Sequence, residues 1–207
     1  MALASPPVYP DHAMTVQSPS HDPAKRVRLV AAAAAAFSRV GFDRASVDDI
    51  AANAAVAKGT VYLYFANKSE LFLAVLDELR LQSDAGTPAT GDTGAEAALR
   101  RLIRRQLALA AASPDLFRCY TSALFGVNRD FQAAALAIFD AQRDDVARRL
   151  RALYRMPRVT PAIERRASLF LAAVLAAALV GGLDRARPAG AVHDEDALMA
   201  MLREPLR

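Results

Sequence analysis

Apolar residues recur at three- and four-residue intervals through every patterned stretch of this 207-residue chain, and no stretch shows the alternation of a β-strand. Proline stands at the breaks between these stretches, at Pro114, Pro157, Pro161 and Pro188. Alanine occupies 47 positions and loses no side-chain entropy when it enters a helix. The sequence therefore predicts an all-α protein.

The sequence lacks the groups on which most enzyme and metal sites depend. Cys119 is the single cysteine, and the three histidines lie near the chain ends, at His12, His21 and His193. No glycine-rich phosphate loop, dinucleotide motif or nucleophile elbow occurs. We expect no catalytic activity, no metal site and no cofactor. We also expect Cys119 to be a small buried side chain rather than a redox sensor, and a reducing, cytoplasmic location fits a lone cysteine.

Arginine supplies most of the positive charge, and the few lysines are clustered. The formal net charge is +4, with 23 arginines and only three lysines. All three lysines, Lys25, Lys58 and Lys68, fall within 46 residues near the start of the chain. A basic surface permits nucleic-acid binding without proving it, and this clustering indicates where such a surface lies.

Composition divides the chain into four parts. Residues 1–24 hold five prolines and neither lysine nor arginine, which predicts a disordered tail rather than a secretory signal. Residues 84–94 hold three glycines and a proline, which predicts a loop. The expected domains are therefore residues 25–83 and a larger helical bundle over residues 95–207.

Two short helices are predicted after the first long one. Ser46 and Asp49 form a capping-box pattern that starts a helix through about residue 53. A second helix is predicted over residues 58–65, after a short turn. Two short helices joined in this way, and packed on a preceding helix, describe a helix-turn-helix DNA-binding unit.

The second short helix has an apolar face and a polar face. Val61 and Phe65, four residues apart, are predicted to face inward. The remaining side chains supply one amine and several hydroxyls, the donors that phosphates and base edges accept. The predicted outward residues are Lys58, Gly59, Thr60, Tyr62 and Tyr64.

Residues 26–80 resemble the N-terminal DNA-binding domain of tetracycline-repressor (TetR) family transcription regulators. The matching segments are Ala36-Phe37, Gly41-Phe42, Ser46 to Ala51, Lys58 to Tyr62, Tyr64-Phe65 and Lys68.

The resemblance implies a dimer whose two recognition helices enter successive major grooves of a near-palindromic operator. It also implies roles for particular residues. The positions that contact the DNA backbone in the family are occupied here by Ser46, Thr60, Tyr64 and Lys68. Those nearest the bases are Lys58, Gly59 and Tyr62.

Two residues depart from the family pattern. Ala57 replaces the usual serine or threonine that caps the recognition helix and touches a phosphate. Ala55 replaces a glycine that is common in the turn, so we expect the turn to keep right-handed backbone conformations throughout.

The C-terminal half is where the resemblance implies a small-molecule effector. Glutamines at 106 and 142 fall on apolar helical faces, where a polar group needs a partner from the protein, water or a ligand. The candidate ligand-binding residues are Gln106, Tyr120 and Gln142, with Phe139 and Phe170 as walls. The alternative for each glutamine is a core residue satisfied by other protein groups.

Residues 167–183 carry no charge. This stretch of 17 residues is near the lower limit of length for a membrane span. Their alanine content favours a helix buried against a second subunit instead, and the family resemblance implies the same.

Together these features predict a homodimeric repressor that a small, largely apolar effector releases from its DNA operator. The alternatives are a DNA-binding regulator without an effector, acting as an activator or constitutively or architecturally, and a membrane-associated interaction protein.

Overall fold

A computed structural model describes residues 22–84, 94–183 and 195–202 of the chain. These residues form nine helices and contain no strand, which confirms the all-α prediction. Almost all of the predicted tail and loop, residues 1–21 and 85–93, lies outside the described residues. The helices are α1 (Pro23–Val40), α2 (Val47–Asn53), α3 (Lys58–Tyr64), α4 (Lys68–Asp84), α5 (Ala95–Ala112), α6 (Pro114–Leu124), α7 (Arg129–Leu153), α8 (Pro161–Leu183) and α9 (Glu195–Ala200).

Helix α1 begins two residues before the predicted start of the DNA-binding domain. The Asp22 carboxylate accepts a hydrogen bond from the Ala24 N–H at 2.9 Å, and Pro23 occupies the first turn. Proline suits this position because the first-turn N–H groups have no intrahelical partner. The helix ends at Val40, and the capping residue Gly41 has a φ of 81° and a ψ of 164°, which require glycine.

Helices α1 to α4 form the N-terminal unit, and an aromatic cluster joins it to the rest of the molecule. Phe37 of α1 packs edge-on against Phe72 of α4, with ring centroids 5.2 Å apart. Phe131, in the first turn of α7, contacts both Phe42 and Phe72, at 4.8 and 4.4 Å. The start of α7 is thereby anchored on the N-terminal unit.

Helix α6 packs directly on α1 and α4. The Ser38 hydroxyl of α1 donates to the Asp115 carboxylate at 2.6 Å. The thiol of Cys119 donates to the Ala34 carbonyl at 3.6 Å and is buried, as expected for a small core residue. Burial raises the pKa of Cys119 to about 12, which holds the thiol protonated and unreactive.

Helices α5, α7, α8 and α9 enclose a second core. It is completed by α9, whose Glu195 accepts hydrogen bonds from Arg100 and Arg104 of α5, both at 3.0 Å. None of the described helices is long and apolar enough to cross a membrane, α8 included. The membrane-spanning alternative for residues 167–183 therefore finds no support in the described helices.

Candidate nucleic-acid interface and ligand cavity

The turn between α2 and α3 sets the direction of the second short helix. Ala55 has a φ of 55°, so the prediction of a wholly right-handed turn is wrong. The Val56 N–H donates to the Ala51 carbonyl and the Ala55 N–H to the Ala52 carbonyl, both at 3.0 Å. These two bonds satisfy carbonyls at the end of α2. This pattern of bonds requires a left-handed backbone conformation at position 55. The tertiary geometry imposes a conformation that costs an alanine about 1–2 kcal/mol.

Local capping residues position the helices on either side of this turn. The Ser46 hydroxyl caps α2 as predicted, but it accepts from the Asp48 N–H, at 3.1 Å, rather than from Asp49 of the predicted capping box. Ala57 precedes α3 and makes no side-chain cap, the consequence expected from the missing hydroxyl. At the start of α4, Asn67 accepts from the Glu70 N–H at 2.9 Å, while Glu70 accepts from the N–H of residue 66 at 2.8 Å.

The two faces of α3 are arranged nearly as the sequence predicts. Val61 and Phe65 are buried, while Lys58, Gly59 and Tyr62 are exposed. Tyr62 is 47% exposed, a large fraction for an aromatic side chain in a folded helix. These three exposed residues of α3 are hereafter the recognition face.

Thr60 and Tyr64 are half-buried, so the prediction that both stand fully outward is wrong. Each residue advances a helix by about 100°, which places position 64 only about 60° from Val61. The Tyr64 hydroxyl turns back and donates to the Asp22 carbonyl at 3.2 Å. Tyr64 thus ties α3 to the start of α1.

One further residue of α3 is exposed and was not among the predicted outward residues. Leu63 is 56% exposed, and the same helical geometry places it about 200° from Val61. That spacing from Val61 is the sequence signal that identifies Leu63 as an outward residue. A methyl-rich side chain on this face can contact the methyl group of thymine.

Two of the three lysines, Lys58 and Lys68, already have partners in this structure. The Lys58 ammonium lies 3.0 Å from the Asp48 carboxylate of α2, and this hydrogen bond raises the pKa of Lys58. The Lys68 ammonium donates to the carbonyls of Asp43 and Ala45, at 3.1 and 3.2 Å. The same ammonium lies 4.7 Å from the centroid of the Phe42 ring, a cation–π contact. Lys68 holds the turn that precedes Ser46.

A small cavity lies among α4, α5, α6, α7 and α8. Its volume is about 20 Å³, room for about one water molecule. Four of the predicted ligand-binding residues line it: Gln106, Tyr120, Phe139 and Gln142. The other lining residues, which sequence analysis did not identify, are Leu79, Phe117, Ile138, Leu171, Val174, Leu175 and Ala178.

Phe170 does not line this cavity, so its prediction as a wall is wrong. It is fully buried in the second core, one turn of α8 before Val174. The helical pattern predicted its burial but not the depth at which α8 meets the cavity.

The polar side chains of the cavity have few hydrogen-bond partners among the described residues. Gln106 is 5% exposed, and its Nε2 has no hydrogen-bond partner among the described residues. Burial raises the pKa of Tyr120 to about 12, with a smaller contribution from the negative charge of Asp140. The Tyr120 hydroxyl is therefore a neutral donor and acceptor at any physiological pH.

The chain is similar to known regulators in sequence. A family model for bacterial regulatory proteins of the tetR family matches residues 29–75, which run from α1 into α4. The HTH-type transcriptional repressor SCO4008 of Streptomyces coelicolor is 33% identical over 135 residues, which is 65% of this chain and 66% of that protein. The matches to other curated relatives cover 18–31% of those proteins.

Solved structures share the fold over most of the chain. A TetR-like transcriptional regulator from a Rhodococcus species has a TM-score of 0.69 at 23% identity, over 86% of this chain and 93% of that one. The transcriptional regulator FadR from Bacillus subtilis was solved in complex with stearoyl-CoA. It has a TM-score of 0.70 at 16% identity, over 85% of this chain and 96% of that one.

The helix-turn-helix geometry of α2 and α3, the family match over it and the shared fold of the helical bundle agree with one another. The chain belongs to the tetR family of transcriptional regulators.

Proposed function

We propose that this regulator is a homodimeric repressor and that a small, largely apolar effector releases it from a near-palindromic DNA operator. The observation that carries the proposal is the recognition face: α3 buries Val61 and Phe65 and leaves Lys58, Gly59 and Tyr62 open to a partner. An amine and a phenol can bind phosphates and base edges, and an exposed glycine lets the DNA backbone approach closely.

Further DNA contacts are proposed for the residues around the recognition face. Ser46, Thr60, Tyr64 and Lys68 are the proposed phosphate contacts. Tyr64 also binds the carbonyl of Asp22, and Lys68 those of Asp43 and Ala45, so both side chains help to fix the position of α3. Lys58 is released to DNA when a phosphate or a guanine edge replaces Asp48 as its partner.

Helix α8 supplies the proposed contact between the two subunits. Leu169 and Val180 are 67% and 46% exposed, and Ala172 and Ala176 lie exposed between them. These four residues form an exposed stripe along one face of α8. The stripe exposes apolar side chains to water, and its alanines allow a second backbone to approach closely. Leu136 of α7 adds a further exposed apolar side chain.

The cavity supplies the proposed link between effector and DNA. Because it holds about one water molecule, an effector can enter only by displacing its walls. One wall is Leu79 of α4, and the first residue of α4 is Lys68, which binds the turn before α2. A shift of α4 therefore changes the placement of α2 and α3. The repressor name of the Streptomyces relative and the stearoyl-CoA held by the Bacillus FadR structure support this proposal by similarity.

A second candidate function is DNA binding without an effector. The small size of the cavity favours it, since a single ordered water would satisfy the Gln106 amide. The two functions differ in whether an organic probe can enter the cavity.

DNA selection with Tyr62 variants tests the proposed operator binding. A randomised duplex library enriched on the wild-type protein is expected to yield a near-palindromic sequence. Tyr62→Ala is expected to bind that sequence about tenfold more weakly, because a lost base contact costs about 1–3 kcal/mol. Affinity for random DNA and thermal stability should change little, because the side chain is exposed. Failure to enrich any sequence would contradict the function, and equal loss on both DNAs would make Tyr62 a phosphate contact.

Sedimentation tests the proposed subunit contact. Ala176→Arg places a charge on the exposed stripe of α8 and is expected to give monomers. Ala108→Arg, on an exposed position of α5, is the matched control and should remain dimeric. Ala173 and Ala177, the neighbouring alanines of α8, are half-buried within the subunit and are therefore poorer test positions. An unchanged dimer in Ala176→Arg would move the contact elsewhere.

A further inference from the structure

The cavity lining is apolar except for three side chains. Gln106, Tyr120 and Gln142 supply amide and hydroxyl groups, and no charged residue is among the described residues that line it. A carboxylate or phosphate ligand would find no cation here, and a quaternary ammonium ligand would find no counter-charge. Burying an ion without a partner is far more costly than burying a neutral polar group.

Gln106 determines which neutral group is favoured. Its Nε2 is a hydrogen-bond donor, is buried, and has no partner among the described residues. A buried donor without an acceptor costs free energy that a ligand acceptor would recover. The aromatic rings of Phe117 and Phe139, which also line the cavity, suit a flat or branched apolar body.

We infer that the effector of this regulator is an uncharged, mainly apolar molecule with a carbonyl-type acceptor that receives a hydrogen bond from Gln106 Nε2. This inference rests on the proposed effector function and narrows it to one chemical class. Ligands that would place a carboxylate or a quaternary ammonium group within the cavity are outside that class, because the described lining residues supply no counter-charge.

Four one-ring probes of similar shape test the class. Acetophenone carries the carbonyl, cumene replaces it with an isopropyl group, benzoate adds a negative charge and phenyltrimethylammonium adds a positive charge. Dissociation constants are measured by titration calorimetry or ligand-observed NMR on the full chain. Acetophenone and cumene are expected to bind, and the two ions at least about tenfold more weakly than acetophenone.

The variant Gln106→Met tests the hydrogen bond, because methionine nearly matches glutamine in volume and lacks the donor. Acetophenone is expected to bind it about five- to tenfold more weakly than it binds wild type, while cumene binds equally well or better. Equal effects on both probes would overturn the inference. Circular dichroism verifies that the variant is folded.

A spectroscopic measurement on the wild-type protein does not depend on the variant. The carbonyl stretching frequency of bound acetophenone is expected to lie below its value in an apolar solvent, since hydrogen bonding weakens the carbonyl bond. An unshifted frequency, tighter binding of either ion, or no binding of any probe would each overturn the inference.

Operator binding by the same preparations separates this inference from the proposed function. A protein that binds its selected DNA but prefers a charged probe, or binds none, overturns only the ligand class. A protein that enriches no DNA sequence contradicts the proposed function even if acetophenone binds.

Discussion

The ammonium of Lys58, the first residue of α3, lies 3.0 Å from the carboxylate of Asp48 in α2. Both side chains are more than half exposed, so water screens the pair and it adds little to stability. Under the proposed function, the pair affects DNA binding, because the Asp48 carboxylate competes with a DNA phosphate for Lys58.

Asp48→Asn is therefore expected to raise affinity for DNA. The change removes one negative charge per subunit near the phosphates and releases Lys58, a gain of about fivefold per subunit at low salt. Fluorescence anisotropy at several salt concentrations measures it. Asp144→Asn, which removes a carboxylate from an exposed ion pair of α7, is the control and should leave affinity unchanged. Weaker binding by Asp48→Asn would show that the carboxylate itself assists recognition.

Gly59→Ala is expected to change stability and DNA affinity in opposite directions. A methyl group at this position would meet no atom within 4 Å, so the chain itself does not require glycine there. Alanine favours the helix by about 0.5–1 kcal/mol, which thermal unfolding should detect. If DNA approaches this backbone closely, affinity falls at least about tenfold. Unchanged affinity in the stabilised variant would remove Gly59 from the interface.

Ala55→Gly is expected to stabilise the protein by about 0.5–1 kcal/mol, because glycine adopts the left-handed conformation without the clash that alanine suffers. Chemical denaturation gives the free energy of unfolding. The control is Ala52→Gly, at an exposed helical position of α2, which should destabilise by a similar amount. Destabilisation by both variants would contradict a left-handed residue at position 55.

Stability is expected to fall as the pH rises above 9, partly through Cys119. Burial raises the pKa of its thiol from 9.0 to about 12, so between these values the unfolded chain loses a proton that the folded chain retains. Folding is then disfavoured by up to about 1.4 kcal/mol per pH unit from this group alone, whereas below pH 9 its contribution is constant.

Cys119→Ala should therefore make the free energy of unfolding less steep between pH 9 and 11. The slope is the measurement, because loss of the sulfur also lowers stability at every pH. Maleimide labelling of the wild-type thiol at pH 7.5 should occur only at the rate of unfolding. Rapid labelling of the folded protein would show that Cys119 is accessible.

Local chemistry in the sequence determined where α2 and α4 begin and that Val61 and Phe65 are buried. Ser46 and Asn67 cap α2 and α4 through bonds that span two or three residues, and such bonds form in the same way in any fold. Val61 and Phe65 follow the helical period, which depends only on the backbone. Ser46, Val61 and Phe65 are also among the residues on which the family resemblance rests.

Only the tertiary structure decided the conformation of Ala55 and the composition of the cavity. The path from α2 to α3 is set by packing, and that packing outweighs the local preference of alanine. The helical pattern identified Gln106 as an inward residue but could not show that Leu79 lies beside it and Phe170 does not. Periodicity gives the buried face of a helix, whereas the depth and angle at which helices meet depend on every side chain between them.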